Sequence, residues 1–295
     1  MTPIAYNLLD PARVTSPVVF TSPHSGRAYP QAFLRDSVLD AVALRSSEDA
    51  YVDMLFDSAP AFGAPLLLAE SPRAFVDFNR AADELDPALV RGVMRSGHNP
   101  RVNSGLGVIP RVVAGGRSIY RGKMDLDAAM ARIDQHWRPY HARLQWVLDR
   151  AHRRFGEAIL LDCHSMPHEA VASVARDGRG IPDIVIGDRF GASAAESLVI
   201  RVETAFRDAG FEVARNTPFA GAFVTQHYGR PARRQHAIQI EINRALYLNE
   251  RRVAPSADFE QMRKRLRQVI ADLAGLSTGA GVGSGRGGTP RLAAE

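Results

Sequence analysis

Chemistry concentrates where short apolar runs of this 295-residue chain give way to polar side chains. The clearest case is Ala158-Ile-Leu-Leu-Asp-Cys-His-Ser-Met-Pro167. Its apolar start, Ala158 to Leu161, reads as a buried strand, with Asp162, Cys163, His164 and Ser165 at the carboxyl end. Ligands of open α/β sheets gather outside the carboxyl ends of strands. Alternation puts Asp162 and His164 on one side of the strand and Cys163 on the other. An aspartate beside a histidine can accept its ring N–H, fix the tautomer and raise the basicity of the second nitrogen, which suits a metal ligand. The plainer alternative is a histidine that caps the following segment. Three further segments end in the same way: His24 after Pro17 to Ser22, Asn79-Arg80 after Arg73 to Asp77, and Glu241 late in His236-Ala-Ile-Gln-Ile-Glu-Ile-Asn243. Two histidines plus a carboxylate, with a separate glutamate as base, is the composition of a catalytic zinc site. Zinc at an open site lowers the pKa of bound water to about 7 and polarises a carbonyl, while a nearby glutamate passes the water's proton to a leaving amine.

Each member also has a plainer explanation. His24, between Pro23 and Ser25-Gly26, fits a surface turn as well as a place where backbone approaches a ligand closely. Glu48 and Asp49 fall in the first turn of a helix expected over Ser47 to Ser58, where Ser47 is the N-cap and the macrodipole favours acids. Asn79-Arg80 fits a loop ion pair. Glu241, set among isoleucines, fits the exposed face of an edge strand or a paired group in a cleft. Cys163 is the weaker candidate for a nucleophile, because it points away from His164 and small buried cysteines are common. The glycines from Gly281 to Gly288 follow no strand and precede no helix, so they do not make a phosphate loop.

The elements that must position these residues alternate between strand and helix. Strands are expected at Pro17 to Ser22, Pro65 to Ala69, Arg73 to Asp77, Ala158 to Leu161, Asp183 to Gly187, Phe211 to Arg215 and His236 to Asn243. Helices are expected at Asp36 to Leu44, Ser47 to Ser58, Asp125 to Phe155 with an interruption at Pro139, Ala192 to Ala209 closed by Gly210, and Asp258 to Leu276. Phe219 to Gly229 reads as a glycine-punctuated loop. Asp83 to Lys123 reads as a long irregular excursion with a hairpin near Val108 to Ser118, of the kind that lines or covers a site. The fold class is therefore α/β: a single domain over residues 1–276, with a mixed, mostly parallel sheet sandwiched by helices. Residues 277–295 read as a Gly-rich disordered tail.

Composition narrows the function classes. Hydrophobic residues make up 45% of the chain, enough for a full core, and no apolar run approaches the roughly 20 residues that span a bilayer. The N-terminus lacks the basic and apolar regions of a secretory signal, and a single cysteine excludes a disulfide framework or Cys-rich zinc module. These features point to a cytoplasmic protein. The net charge of +5 comes mainly from scattered arginines, and the densest cluster, Arg263 to Arg267, lies on the solvated face of a late helix. No basic-and-aromatic interleaving accompanies it, so a nucleic-acid partner is not expected. Arginine suits bidentate recognition of carboxylates, which favours a small anionic substrate.

In this order, the stretches Ser22-Pro-His-Ser-Gly26, Ser47-Glu-Asp-Ala-Tyr-Val-Asp53, Asp77-Phe-Asn-Arg80, Gly107-Val-Ile-Pro110, Asp162-Cys-His-Ser-Met-Pro167, Pro218-Phe-Ala-Gly221, Thr225-Gln-His-Tyr-Gly229 and Gln239-Ile-Glu241 resemble the N-formylglutamate amidohydrolase family. That family is itself similar to the zinc carboxypeptidase and aminoacylase fold. The resemblance implies one zinc ion held by His24, His164 and a carboxylate from Glu48-Asp49, for which Asp49 is chosen. It implies Glu241 as general base and Asn79-Arg80 as the grip on a substrate carboxylate. Arg111, Thr225 and His227 are secondary candidates for substrate contact. The chain departs from the pattern at Gln226, where members devoted to formylglutamate carry a basic residue. The implied activity is a zinc-dependent amidohydrolase releasing the acyl group, formate in the first instance, from an N-acyl amino acid such as N-formyl-L-glutamate. A deacylase for another N-acyl amino acid or short peptide is the alternative. A non-catalytic anion- or nucleic-acid-binding protein is the third, and it leaves the histidines and Glu241 unexplained.

Overall fold

The computed structural model describes residues 5–94, 99–172 and 180–277. The expected tail over 277–295 lies outside the described residues, apart from Ser277. The strands relevant to the site are β1 (Tyr6–Leu9), β2 (Val18–Ser22), β3 (Leu66–Ala69), β4 (Val112–Val113), β5 (Arg117–Ser118), β6 (Ala158–Met166), β7 (Ile184–Gly187), β8 (Val213–Arg215) and β9 (Gln235–Asn243). Seven of them form one sheet in the order β1-β3-β2-β6-β9-β7-β8. The block β3-β2-β6-β9 is parallel, β1 joins β3 antiparallel, β7 joins β9 antiparallel, and β8 runs parallel to β7. The sheet is mixed and mostly parallel, as expected from the alternation of elements.

Both faces of a parallel block must be covered, and they are. On one face Phe20, Ile159, Leu161, Cys163, Ile238, Ile240 and Ile242 share a core with the helices Glu196–Asp208 and Phe259–Ala274. On the other, Val19, Ala158, Leu160 and Ala237 pack under Tyr140, Leu144, Val147, Leu148 and Ala151 of the helix Arg138–Phe155. This second face is apolar only at the amino-terminal half of its strands. Towards the carboxyl ends the same alternating positions become Thr21, Asp162, His164, Gln239 and Glu241, all buried. Glu241 therefore lies on a central strand, not on an edge. Among the described residues no helix is long and apolar enough to cross a membrane.

Several local expectations change, each through a tertiary contact. The helix expected over Ser47 to Ser58 forms only at Val52–Leu55, because the Asp49 N–H bonds to the His24 carbonyl at 3.0 Å and Tyr51 takes a left-handed conformation. Glu48 and Asp49 thus sit in irregular backbone rather than in a helical first turn. The expected helix at Asp36 to Leu44 is two short ones, Gln31–Asp36 and Ala41–Arg45, the second capped by the Asp40 side chain. Arg73 to Asp77 is a turn, not a strand. Phe219 to Gly229 is not all loop: Phe223–Tyr228 is helical, and the Val224 N–H is taken by Asn79 Oδ1 at 2.8 Å. At Pro139 the long helix does not stop. A π-helical turn, Ile133–Trp137, joins Leu126–Arg132 to Arg138–Phe155 and absorbs the proline's missing donor. The described part of the Asp83 to Lys123 excursion, residues 83–94 and 99–123, is mostly irregular, with the short helix Pro100–Asn103 and the β4–β5 hairpin.

Candidate active site

A cavity of about 440 Å³ opens at the carboxyl ends of β2, β6 and β9. His24, Asp49, Asn79, Arg80, His164 and Glu241 all line it. The three candidate ligands His24, Asp49 and His164 are buried, and one ligand atom from each lies within 4.8 Å of the other two. His24 Nδ1 is 3.3 Å from Asp49 Oδ2, and His164 Nδ1 is 2.8 Å from the same oxygen. The two imidazole centroids are 4.8 Å apart.

The far nitrogens of both rings are bound to carboxylates. His24 Nε2 pairs with Asp77 Oδ1 at 2.7 Å, and His164 Nε2 with Asp162 Oδ2 at 2.9 Å. A metal-ligating histidine characteristically donates its second N–H to such a group, which fixes the tautomer. His24 Nδ1 is buried and makes no hydrogen bond, a costly state for a ring nitrogen unless something binds it. These side chains fit a metal ion: a buried orphan nitrogen, a second nitrogen and a carboxylate oxygen converge, and an acid stands behind each imidazole.

The electrostatics agree. Burial alone lowers the His164 pKa, but the Asp162 charge and hydrogen bond and the bond to Asp49 override it and drive it well above the usual value. Burial raises Asp49 and Asp77, yet the His164 bond and the His24 charge beside Asp49, and the charges of His24 and Arg73 beside Asp77, hold both well below the ordinary carboxylate range. The acid cage favours a cation between its members. Glu241 differs: burial pushes its carboxyl up to about 7, with the Asp49 charge adding to this and the His164 charge opposing it. It stands directly across from His164 in the β6–β9 register, and Gln239 Nε2 donates to its Oε1 at 2.9 Å. A carboxyl poised near neutral pH beside a cation site is a group able to accept and return a proton.

Of Glu48 and Asp49, Asp49 lines the cavity beside the two imidazoles. Glu48 turns away, its carboxylate held by Tyr29 Oη at 2.7 Å and Arg45 Nε at 3.1 Å. Of the secondary candidates, none reaches the cavity wall. Arg111 bonds Asp86 at 2.8 Å, Thr225 Oγ1 donates to the Ala222 carbonyl, and the exposed His227 stacks on Phe223. Gln226, the departure noted above, is also exposed and outside the wall, so it does not alter the cavity. Asn79 lines the cavity, with its oxygen committed to Val224 and its Nδ2 3.3 Å from His164 Nε2.

Arg73, Arg101, Gln239 and Arg244 also line the cavity, and no site role is expected for them from the sequence. Arg73 Nε bonds Asp77 Oδ2 at 3.1 Å, and Arg244 Nη2 bonds Asp49 Oδ1 at 2.9 Å while its Nε donates to Ser165 Oγ. Gln239 bonds Glu241, and Arg101 enters from the irregular excursion. A signal existed for two of them: Arg244 follows Glu241 by three residues at the end of one strand, and Arg73 precedes Asp77 by four.

These features define an α/β protein with a candidate metal centre and an adjacent basic carboxylate at the carboxyl edge of its sheet. The chain belongs to the N-formylglutamate amidohydrolase family, whose model matches residues 16–248. A Pseudomonas aeruginosa protein named N-formylglutamate deformylase is 31% identical over 265 residues, covering 87% of this chain and 91% of that one. A Pseudomonas putida protein of the same name is 30% identical over 241 residues, covering 79% and 82%. The crystal structure of N-formylglutamate amidohydrolase from Ralstonia eutropha superposes with a TM-score of 0.85 at 35% identity, covering 92% of this chain and 97% of that one.

Proposed function

We propose that this chain hydrolyses the amide bond of N-formyl-L-glutamate, giving formate and L-glutamate, at a zinc ion held by His24, Asp49 and His164. The observation that carries the reading is the convergence of those three ligand atoms beside Glu241. The relatives named N-formylglutamate deformylase support the substrate. Two nitrogens and a carboxylate oxygen form a zinc donor set with room for a further ligand. A divalent ion there would supply a Lewis acid for the formyl oxygen and acidify a water.

The chain's own residues do the rest. Asp77 and Asp162 hold the two imidazoles in the tautomer that leaves each Nδ1 lone pair facing inward. Arg244 fixes Asp49 by its other oxygen. Glu241 takes a proton from the attacking water and returns it to the nitrogen as the C–N bond breaks, so that one water is consumed and a carboxylate and an amine leave. Arg73 bonds Asp77 through Nε only, leaving its terminal nitrogens without a hydrogen bond among the described residues, and it lies beside Asp49 and Glu241. It offers positive charge where negative charge develops on the formyl oxygen. Arg80, with its guanidinium held to the carbonyls of Leu106 and Asn79, takes the α-carboxylate.

Metal analysis combined with Glu241→Gln tests this. One divalent ion per chain is expected, with activity lost on chelation and restored by zinc. Glu241→Gln should keep the metal and lose on the order of 10³-fold in kcat, at the middle of the range for a general acid–base group. Full deformylase activity in metal-free protein would be fatal to the reading.

A further inference from the structure

Four arginines line the cavity, and their partners divide them into two pairs. Arg73 is matched by Asp77 and Arg244 by Asp49, so both belong to the charge balance around the ligand cluster. Arg80 bonds only uncharged carbonyls, those of Leu106 at 2.9 Å and Asn79 at 2.8 Å. The Arg101 guanidinium has no hydrogen bond or ion pair to any of the described residues. Of the acids whose charge reaches Arg80, Asp77 is already bonded by His24 and Arg73, and Glu84 lies outside the cavity wall with its oxygens bonded by the Ala81 N–H and Asn99 Nδ2.

The two cations, neither in an ion pair among the described residues, have their chain segments joined through Leu106. Its N–H closes the helix Pro100–Asn103 by bonding the Arg101 carbonyl at 2.9 Å, and its own carbonyl receives Arg80 Nε. Arg111 braces the same turn from behind. Its backbone N–H bonds the Gly105 carbonyl at 2.8 Å, and its guanidinium, anchored to Asp86, fills the space a side chain at Gly105 would need. The Arg101 charge is felt at Arg80: burial lowers the Arg80 pKa, Asp77 opposes this, and Arg73 and then Arg101 add to it. Two guanidiniums with no ion-paired acid among the described residues, both lining one cavity, suit two anionic groups on the ligand.

We infer that Arg101 is the specificity-determining residue for the substrate's side-chain carboxylate, and that the excursion over residues 83–123 exists in part to carry it to the cavity. This rests on the reading of the site as an N-formylglutamate hydrolase with Arg80 on the α-carboxylate, and it assigns the second negative charge of that substrate to a residue no motif marks. Arg101 touches the part of the substrate remote from the scissile bond, so it changes which acyl amino acid is accepted rather than how the bond is broken.

The test compares N-formyl-L-glutamate with N-formyl-L-glutamine, which is nearly isosteric but uncharged in its side chain. In wild type the acid should be preferred. Arg101→Gln should reduce kcat/KM for N-formyl-L-glutamate by on the order of 100-fold, mostly through KM, as expected for removing one partner of a charged pair. The same variant should change kcat/KM for N-formyl-L-glutamine by no more than a few fold, so that the preference collapses. Arg101→Lys, which keeps the charge but not the fork, should recover part of it. Equal losses on both substrates in Arg101→Gln, or an unchanged acid-to-amide ratio, would overturn the inference while leaving the hydrolase reading intact. Failure of metal-loaded wild type to deformylate N-formyl-L-glutamate would overturn both.

Discussion

Asp77 and Asp162 never touch the inferred substrate, yet they stand behind the two imidazoles and fix which nitrogen faces the cavity. Asp77→Asn and Asp162→Asn should each weaken metal affinity by about 10- to 100-fold, the usual cost of losing such a partner, as read by competition with a chromogenic chelator. Glu241 gives a second expectation at this scale, and its sign can be worked out. Its folded-state pKa, about 7, lies above the ordinary 4.5, so the native protein binds this proton more tightly than the unfolded chain does. In metal-free protein the resulting penalty is absent below about pH 4.5, grows across the window to about 7 and is full above it. Glu241→Gln should therefore stabilise metal-free protein at pH 8 by up to about 3 kcal/mol, and change little at pH 4.5, in denaturant titrations. For the reaction, the base must be ionised, so kcat/KM should fall on the acid side of about 7, with bound metal moving that limb lower. A stability gain at pH 4.5 equal to that at pH 8 would show that burial of the charge is not the cause.

At the scale of elements, everything converges on β6 and β9, nine residues each in unbroken parallel register. Their even or odd positions serve two purposes. One set, Leu161, Cys163, Ile240 and Ile242, enters the core, and the other delivers His164, Gln239 and Glu241 to the cavity with Asp162 bonded behind His164. Leu161 has no exposure, and Leu161→Ala should cost about 2–5 kcal/mol of stability by calorimetry or denaturant melts. Much of this was readable in advance, because strand alternation is local: the separation of His164 from Cys163 and the polar turn at His24 follow from periodicity alone. What was not readable depended on long-range bonds. Nothing near Asp49 announces that its N–H will be held by the His24 carbonyl and the expected helix pulled open. The helix at Phe223–Tyr228 likewise begins on the side chain of Asn79, a residue far away in the chain. Arg101 escaped notice for the same reason: it lies in a stretch with no periodicity, and only tertiary structure brings it to the cavity. Of the secondary candidates, Thr225 and His227 sit in a matching motif and Arg111 just after one, yet Thr225 bonds local backbone, His227 faces outward and Arg111 pairs with Asp86.

For the whole molecule, the cation site couples folding, metal and pH. Asp49, Asp77, Asp162 and the two imidazoles are gathered from separate segments between His24 and His164, so a bound ion ties the end of β2, the turn at Asp49 and β6 together. An ion that binds only the folded state stabilises it by mass action, by about 4 kcal/mol at a thousand times its Kd. Chelation should therefore lower the Tm as well as abolish activity. Because His164 is held protonated in the metal-free cage, binding must displace that proton, and apparent metal affinity should fall as pH drops. Affinity independent of pH between 6 and 8 would argue that His164 is not a ligand. The most direct test of the central claim is anomalous diffraction at the zinc edge from crystals of zinc-loaded protein. A single strong peak is expected within about 2.0–2.2 Å of a ring nitrogen of His24, a ring nitrogen of His164 and a carboxylate oxygen of Asp49. A peak elsewhere, or none at saturating zinc, would contradict it.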